Sequence, residues 1–185
     1  VLREGLFAGY WRRLGPRFMR QGMSEQYLKK INVKVNGISQ VAQIPPRMTL
    51  LDFLRDELDL TGSHAGCEHG VCGACSVIHD GAPVRSCLMY AVQADGCEVT
   101  TVEGLSEADG TLSILQDCFC ETHAMQCGYC TPGMLIAGHS LLQENSNPSE
   151  VQIVEAIGGN ICRCTGYKQI IEAIALAASR LKEAS

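Results

Sequence analysis

Gly66-Cys67-Glu68-His69-Gly70-Val71-Cys72-Gly73-Ala74-Cys75 is the stretch on which the fold turns. It places three cysteines in a C-x₄-C-x₂-C pattern, and Cys87 follows after eleven further residues. Three thiolates converging from one loop require a backbone that wraps closely around a small inorganic centre. Gly66, Gly70 and Gly73 permit the left-handed turns and close approach that a β-carbon would obstruct. Backbone N–H groups in such a wrap point inward and favour negative charge at its centre. Cys87 arrives from a separate element to complete four ligands.

Outward from the loop, short elements flank it on both sides. Ile31, Val33 and Val35 alternate with polar residues, Asn36-Gly37 follows, and then come Val41 and Ile44. Alternation broken by Asn-Gly predicts a hairpin with a type I′ turn, which needs φ > 0 twice. Thr49 can cap a helix carrying Leu50, Leu51, Phe53, Leu54 and Leu58. Residues 76–79 and 83–86 read as strands around Asp80-Gly81, and 98–102 as another.

After about residue 105 the period changes. Leu112, Leu115, Phe119 and Thr122 fit a helix, and Thr131-Pro132 opens a second, running to about Gln143. Ser149-Glu150-Val151-Gln152 is a capping box before Ile153, Val154 and Ile157, with Gly158-Gly159 ending that helix. A last amphipathic helix carries Tyr167, Ile170, Ile171, Ile174, Ala178 and Leu181. Strands followed by helices predict an α+β chain of two domains, one small and β-rich, one helical.

The helical half holds a second cysteine set, Cys127-x₂-Cys130 and, after thirty-one residues, Cys162-x-Cys164. Residues two apart on a helix point about 200° apart, so Cys162 and Cys164 must lie in a non-helical turn to share a metal. Taken alone, four cysteines in paired spacing also suit zinc. The first set has the plant-type 2Fe–2S spacing, and its presence in the same chain favours iron–sulfur in both. With eleven cysteines, an odd count, and no usable signal peptide, a disulfide framework is disfavoured. Cys97, Cys118 and Cys120 are expected to be structural, Cys118 on the apolar stripe of its helix and Cys120 facing away. His64 and His69 are expected as loop residues, since four thiolates suffice. No nucleophile–His–acid grouping and no phosphate loop is legible, so no catalytic residue is assigned.

The formal net charge of −5 argues against a nucleic-acid partner, and no apolar run is long enough to span a membrane. Residues 1–22 are basic, about +4, before a body of about −9. Leu2, Leu6, Tyr10, Leu14 and Phe18 recur every four residues among arginines. A surface-seeking helix, a transit-type peptide or a twin-arginine signal are open readings of this leader. The preferred expectation is an extension outside the fold, because Met23-Ser24-Glu25 has the look of a normal start.

Three motifs in order make the chain recognisable: the 66–75 loop; Gln126-Cys127-Gly128-Tyr129-Cys130-Thr131-Pro132-Gly133-Met134; and Cys162-Arg163-Cys164-Thr165-Gly166-Tyr167. They resemble the iron–sulfur small subunit of the molybdenum hydroxylase family, of xanthine dehydrogenase and aerobic carbon monoxide dehydrogenase type. The resemblance covers about residues 27–181. It implies a β-grasp plant-type ferredoxin domain at 23–105 and an all-α four-helix 2Fe–2S domain at 106–185. It implies that Cys67, Cys72, Cys75 and Cys87 hold a cluster toward flavin. Cys127, Cys130, Cys162 and Cys164 would hold one nearer the molybdenum cofactor. Gln126 and Cys164 match positions that contact its pterin.

The implied function is electron relay from molybdenum–pterin to FAD, both carried on partners: a large molybdopterin-binding subunit and a medium FAD-binding subunit. A cytoplasmic dimer of heterotrimers is the implied assembly. A freestanding two-cluster ferredoxin and a zinc-stabilised interaction module are the rivals. Aldehydes, N-heterocycles, purines, aromatic acyl-CoA thioesters and carbon monoxide all stay open as substrates.

Overall fold

The computed structural model describes residues 27–107 and 109–183; the basic leader lies outside the described residues. Strand β1 (Lys29–Val35) buries Ile31, Val33 and Val35, as the alternation requires. It pairs antiparallel with β2 (Ile38–Ile44) across a turn in which Asn36 has φ 49° and Gly37 φ 80°. Those two positive angles make the expected Asn-Gly hairpin. Val41 is three residues from Ile44, an odd spacing, so it falls on the opposite face of β2 and is exposed while Ile44 is buried.

Thr49 caps the next element, its hydroxyl accepting the Asp52 N–H. Only Leu50–Asp52 (α1) is α-helical; Phe53–Glu57 winds on as a π turn, with Leu58 N–H donating to Phe53 C=O. Asp59 then turns left-handed at φ 60°, and Arg55 donates to the carbonyls of Thr61 and Ser63. The shortened helix thus aims the chain into the first cysteine loop.

Strands β3 (Ser76–His79) and β4 (Ala82–Arg85) form a second hairpin, and β5 (Glu98–Thr100) closes the sheet in the order β2-β1-β5-β3-β4. Among the described residues only β1 and β5 run parallel. Two strand ends differ from expectation. Ser86 leaves β4 for a 3₁₀ turn, because both its N–H and its hydroxyl donate to Cys75 C=O. Thr101 leaves β5 because the Asn36 side chain accepts its N–H and donates to its hydroxyl, each at 2.9 Å.

Four helices follow: α2 (Ile114–Glu121), α3 (Thr131–Glu144), α4 (Glu150–Ile157) and α5 (Lys168–Glu183). The Ser149–Gln152 box opens α4 as expected. Leu112 falls outside α2, since a second box, Ser113–Gln116, starts that helix after it. Tyr167 also precedes its helix, at φ 69°. The architecture is α+β, a five-stranded mixed sheet followed by the helical layer. Phe53, Leu50, Leu54 and Val33 centre one core; Phe119, Met134, Ile136, Ile170 and Ile174 centre the other.

Candidate metal centre

The first cysteine loop is shaped by contacts that glycine alone allows. A β-carbon on Gly66 would lie 2.9 Å from Cys72 Sγ, and one on Gly70 would strike Leu88. Gly70 and Gly73 also have φ 84° and 76°. Cys72 N–H donates to Cys67 Sγ at 3.4 Å. That bond, with a further backbone N–H from His69, holds the Cys67 thiol down to about 6. The Ser86 turn delivers Cys87 beside buried Cys75. Burial pushes the Cys87 thiol up to about 11, and the neighbouring Cys75 and Cys67 sulfurs add to the rise.

The second set is built the same way from helix ends. Cys130 is the residue before α3, and Gly128 turns left-handed at φ 81° just ahead of it. Cys162 and Cys164 lie in the irregular segment between α4 and α5, as sharing a metal requires. Cys164 Sγ is 3.6 Å from Cys127 Sγ, a contact that raises the Cys164 thiol. Burial pushes Cys130 up to about 12, and Cys162 beside it contributes. Burial also raises Cys162, but hydrogen bonds from the Thr165 hydroxyl and N–H outweigh it and leave that thiol lowered. Tyr167, expected on the α5 stripe, instead accepts the Cys162 N–H through its hydroxyl at 2.9 Å.

Each set therefore pairs a thiol lowered by hydrogen bonds with one raised by burial. A buried thiol ionises when a cation stands beside it, and bound iron would supply that charge. Sulfur-only donors and backbone N–H groups on sulfur fit a 2Fe–2S cluster in each set, and the first loop adds a cradle that a β-carbon would obstruct. Neither histidine contributes a ligand nitrogen through Nδ1. His69 Nδ1–H donates to Cys67 C=O, and His64 Nδ1–H to Tyr129 C=O at 2.8 Å.

Of the bystander cysteines, Cys118 is buried on α2 and Cys120 is exposed, as their helical phase predicts. Cys97 is partly buried and sits beside His79 and Asp80, three ligand-type atoms within 4.8 Å. A hydrogen bond with Asp80 pushes the Cys97 thiol up, while the Glu98 N–H donating to Asp80 Oδ1 and the Asp80 N–H donating to Glu98 C=O tie β5 to the β3–β4 turn. Gln126 is exposed, next to exposed Cys127 and Cys164.

Contacts between the two loops carried no sequence signal. Ile161 N–H donates to Cys72 C=O at 2.9 Å. His64 stacks on Tyr129 with ring centroids 4.6 Å apart, and the Tyr129 hydroxyl donates to Ala65 C=O. Gly133 on α3 meets Gly73 so closely that a β-carbon on Gly133 would be 2.2 Å from Gly73 O. The two cysteine sets thus share one seam.

Residues 33–100 match the model of the 2Fe-2S iron-sulfur cluster binding domain, and residues 101–175 that of the [2Fe-2S] binding domain. The nicotine 6-hydroxylase small subunit of Paenarthrobacter nicotinovorans is 51% identical over 145 residues, 78% of this chain and 87% of that one. The nicotinate dehydrogenase small FeS subunit of Eubacterium barkeri is 47% identical over 150 residues, 81% of this chain and 95% of that one. The crystal structure of quinoline 2-oxidoreductase from Pseudomonas putida 86 superposes with a TM-score of 0.81 at 49% identity, covering 85% of this chain and 98% of that chain.

Proposed function

Because the chain belongs to the iron–sulfur small subunits of the molybdenum hydroxylase family, we propose that it relays electrons from a molybdenum–pterin centre to FAD on partner subunits. Cys67, Cys72, Cys75 and Cys87 hold one 2Fe–2S cluster in a domain ending near residue 105. Cys127, Cys130, Cys162 and Cys164 hold the other in the helical domain. When bound, the clusters supply two one-electron redox centres.

The observation that carries this reading is the bond from Ile161 N–H to Cys72 C=O. It joins the backbone of one ligand to the residue next to another, so the two sets are linked by a short run of covalent bonds and one hydrogen bond. Cys75 and Cys87 bury the inner half of the sheet-side set, while Cys67 and Cys72 are half-buried. Cys127, Cys164 and Gln126 open the helical set to a partner. An amide offers both a donor and an acceptor, so Gln126 suits the edge of a pterin ring. Exposed Val71, Leu88 and Tyr90 beside the first loop, and Tyr129 and Ile161 beside the second, are surfaces for the medium and large subunits. A freestanding carrier would leave these side chains in water. The assembly is a cytoplasmic dimer of heterotrimers.

Nicotine, nicotinate and quinoline in the names of the similar proteins are N-heteroaromatic compounds, and so is caffeine in the caffeine dehydrogenase subunit gamma of a Pseudomonas strain, 52% identical over 147 residues. The complex is accordingly proposed to oxidise an N-heteroaromatic ring.

Purification of the native complex tests the assignment. The expected content is about four irons per copy of this chain, with molybdenum and FAD on separate polypeptides. In Gln126→Leu both clusters are retained while the cluster nearer molybdenum is reduced more slowly by substrate. Zinc in place of iron, or a chain purifying without partners, would remove the proposal.

A further inference from the structure

Arg85 belongs to β4, two residues before Cys87 and opposite Ser76 in the β3–β4 ladder. Its guanidinium is shared between the two cysteine loops. Nη1–H donates to Ser76 Oγ at 2.5 Å, and that hydroxyl donates onward to Gly73 C=O, inside the Cys72–Cys75 segment. Nη2–H donates to Gly159 C=O at 2.6 Å, three residues before Cys162. Between these two anchors lies the tightest packing of the seam. A β-carbon on Gly73 would be 2.0 Å from Asn160 Oδ1 and 2.7 Å from Gly159 O, and Asn160 itself is 3% exposed. No carboxylate lies within ion-pair distance of Arg85 among the described residues.

We propose that Arg85 is a positioning residue that clamps the two cluster loops together and, through its uncompensated charge, favours the reduced state of both clusters. The clamp needs arginine specifically. A planar fork presents donors in two directions at once, whereas an ammonium is a point charge on a flexible stem. The charge acts separately from the clamp. Each cluster gains one negative charge on reduction, and a nearby cation stabilises that form, which raises the midpoint potential. This inference rests on the relay reading, since it concerns how the two centres are coupled.

The test uses the complete complex with Arg85→Met and Arg85→Lys, reduced chemically so that no result depends on substrate. Cluster content is checked first by iron analysis, then each midpoint potential, then the spin–spin splitting in the EPR spectrum of the doubly reduced protein. In Arg85→Met both potentials shift to more negative values, and the splitting departs from that of the wild type. Arg85→Lys keeps potentials near the wild type but shows the altered splitting, because it retains charge and loses the fork. A purely structural role would leave the potentials unmoved. Arg85→Met with full iron, unchanged potentials and unchanged splitting overturns the inference. If Arg85→Met fails to assemble its clusters, Ser76→Ala removes one anchor and keeps the charge. Altered splitting at unchanged potential then supports the clamp, and wild-type splitting overturns it. Failure of the relay reading shows elsewhere, as wild-type clusters that substrate cannot reduce.

Discussion

Replacing Gly133 by Ala adds one methyl group to the first turn of α3, where helix propensity by itself favours Ala by about 1 kcal/mol. The seam reverses that sign. The added carbon would lie 2.2 Å from Gly73 O and 3.0 Å from Gly73 C, both backbone atoms that cannot rotate away. Carbon contacts settle near about 3.5 Å, so one loop must retreat by roughly 1 Å. Gly73 O also accepts the Ser76 N–H and hydroxyl, so the retreat strains those bonds as well. Overpacking of this kind costs about 1–3 kcal/mol, which leaves a net loss of up to about 2 kcal/mol after the helix gain. For a chain of this size that is up to roughly 8 °C in apparent midpoint.

The assay is loss of cluster absorbance on heating at a fixed scan rate, because unfolding that releases iron is irreversible. Gly138→Ala is the internal control. Its β-carbon would meet Ile174 Cδ1 and Cγ1 at 3.2 Å, the movable end of a side chain. The control should therefore stay within about 1 kcal/mol of the wild type. A Gly133→Ala midpoint above the wild type, as helix propensity alone would give, would refute the claim that the two loops are pressed together.

Three shorter predictions accompany it. Cys72→Ser should lose one of the two EPR signals of the reduced protein, whereas Cys97→Ser should keep both; a signal lost in Cys97→Ser would put the ligand list in error. Ser149→Ala removes the hydroxyl that accepts the Gln152 N–H at the start of α4, and should lower stability by about 1 kcal/mol in the same heating assay. Burial lowers the His139 imidazole, so folding favours its neutral form. That contribution is complete above the unfolded value of about 6.5 and is lost as pH falls below it. Heating scans from pH 7 to 5 should show a smaller acid loss in His139→Gln than in the wild type, and equal slopes would exclude the role.

The sequence alone determined the elements whose signals are local. Asn36-Gly37 needs two left-handed residues, and only a hairpin turn meets that need next to alternating valines. The Ser149–Gln152 box closes within four residues, and the cysteine spacings are set by how a short loop can surround a small cluster. Tertiary contacts decided the rest. Helix α1 breaks into a π turn where Arg55 binds the carbonyls of the loop beyond it. Ser86 and Thr101 leave their strands for partners 11 and 65 residues away. Tyr167 abandons a helical stripe to hold the backbone of Cys162. The seam uniting Gly73, Gly133, Asn160 and Arg85 has no periodicity and no motif, because it joins segments up to 87 residues apart. Spacing along a chain identifies which cysteines can form a set; only folding brings the two sets to one another.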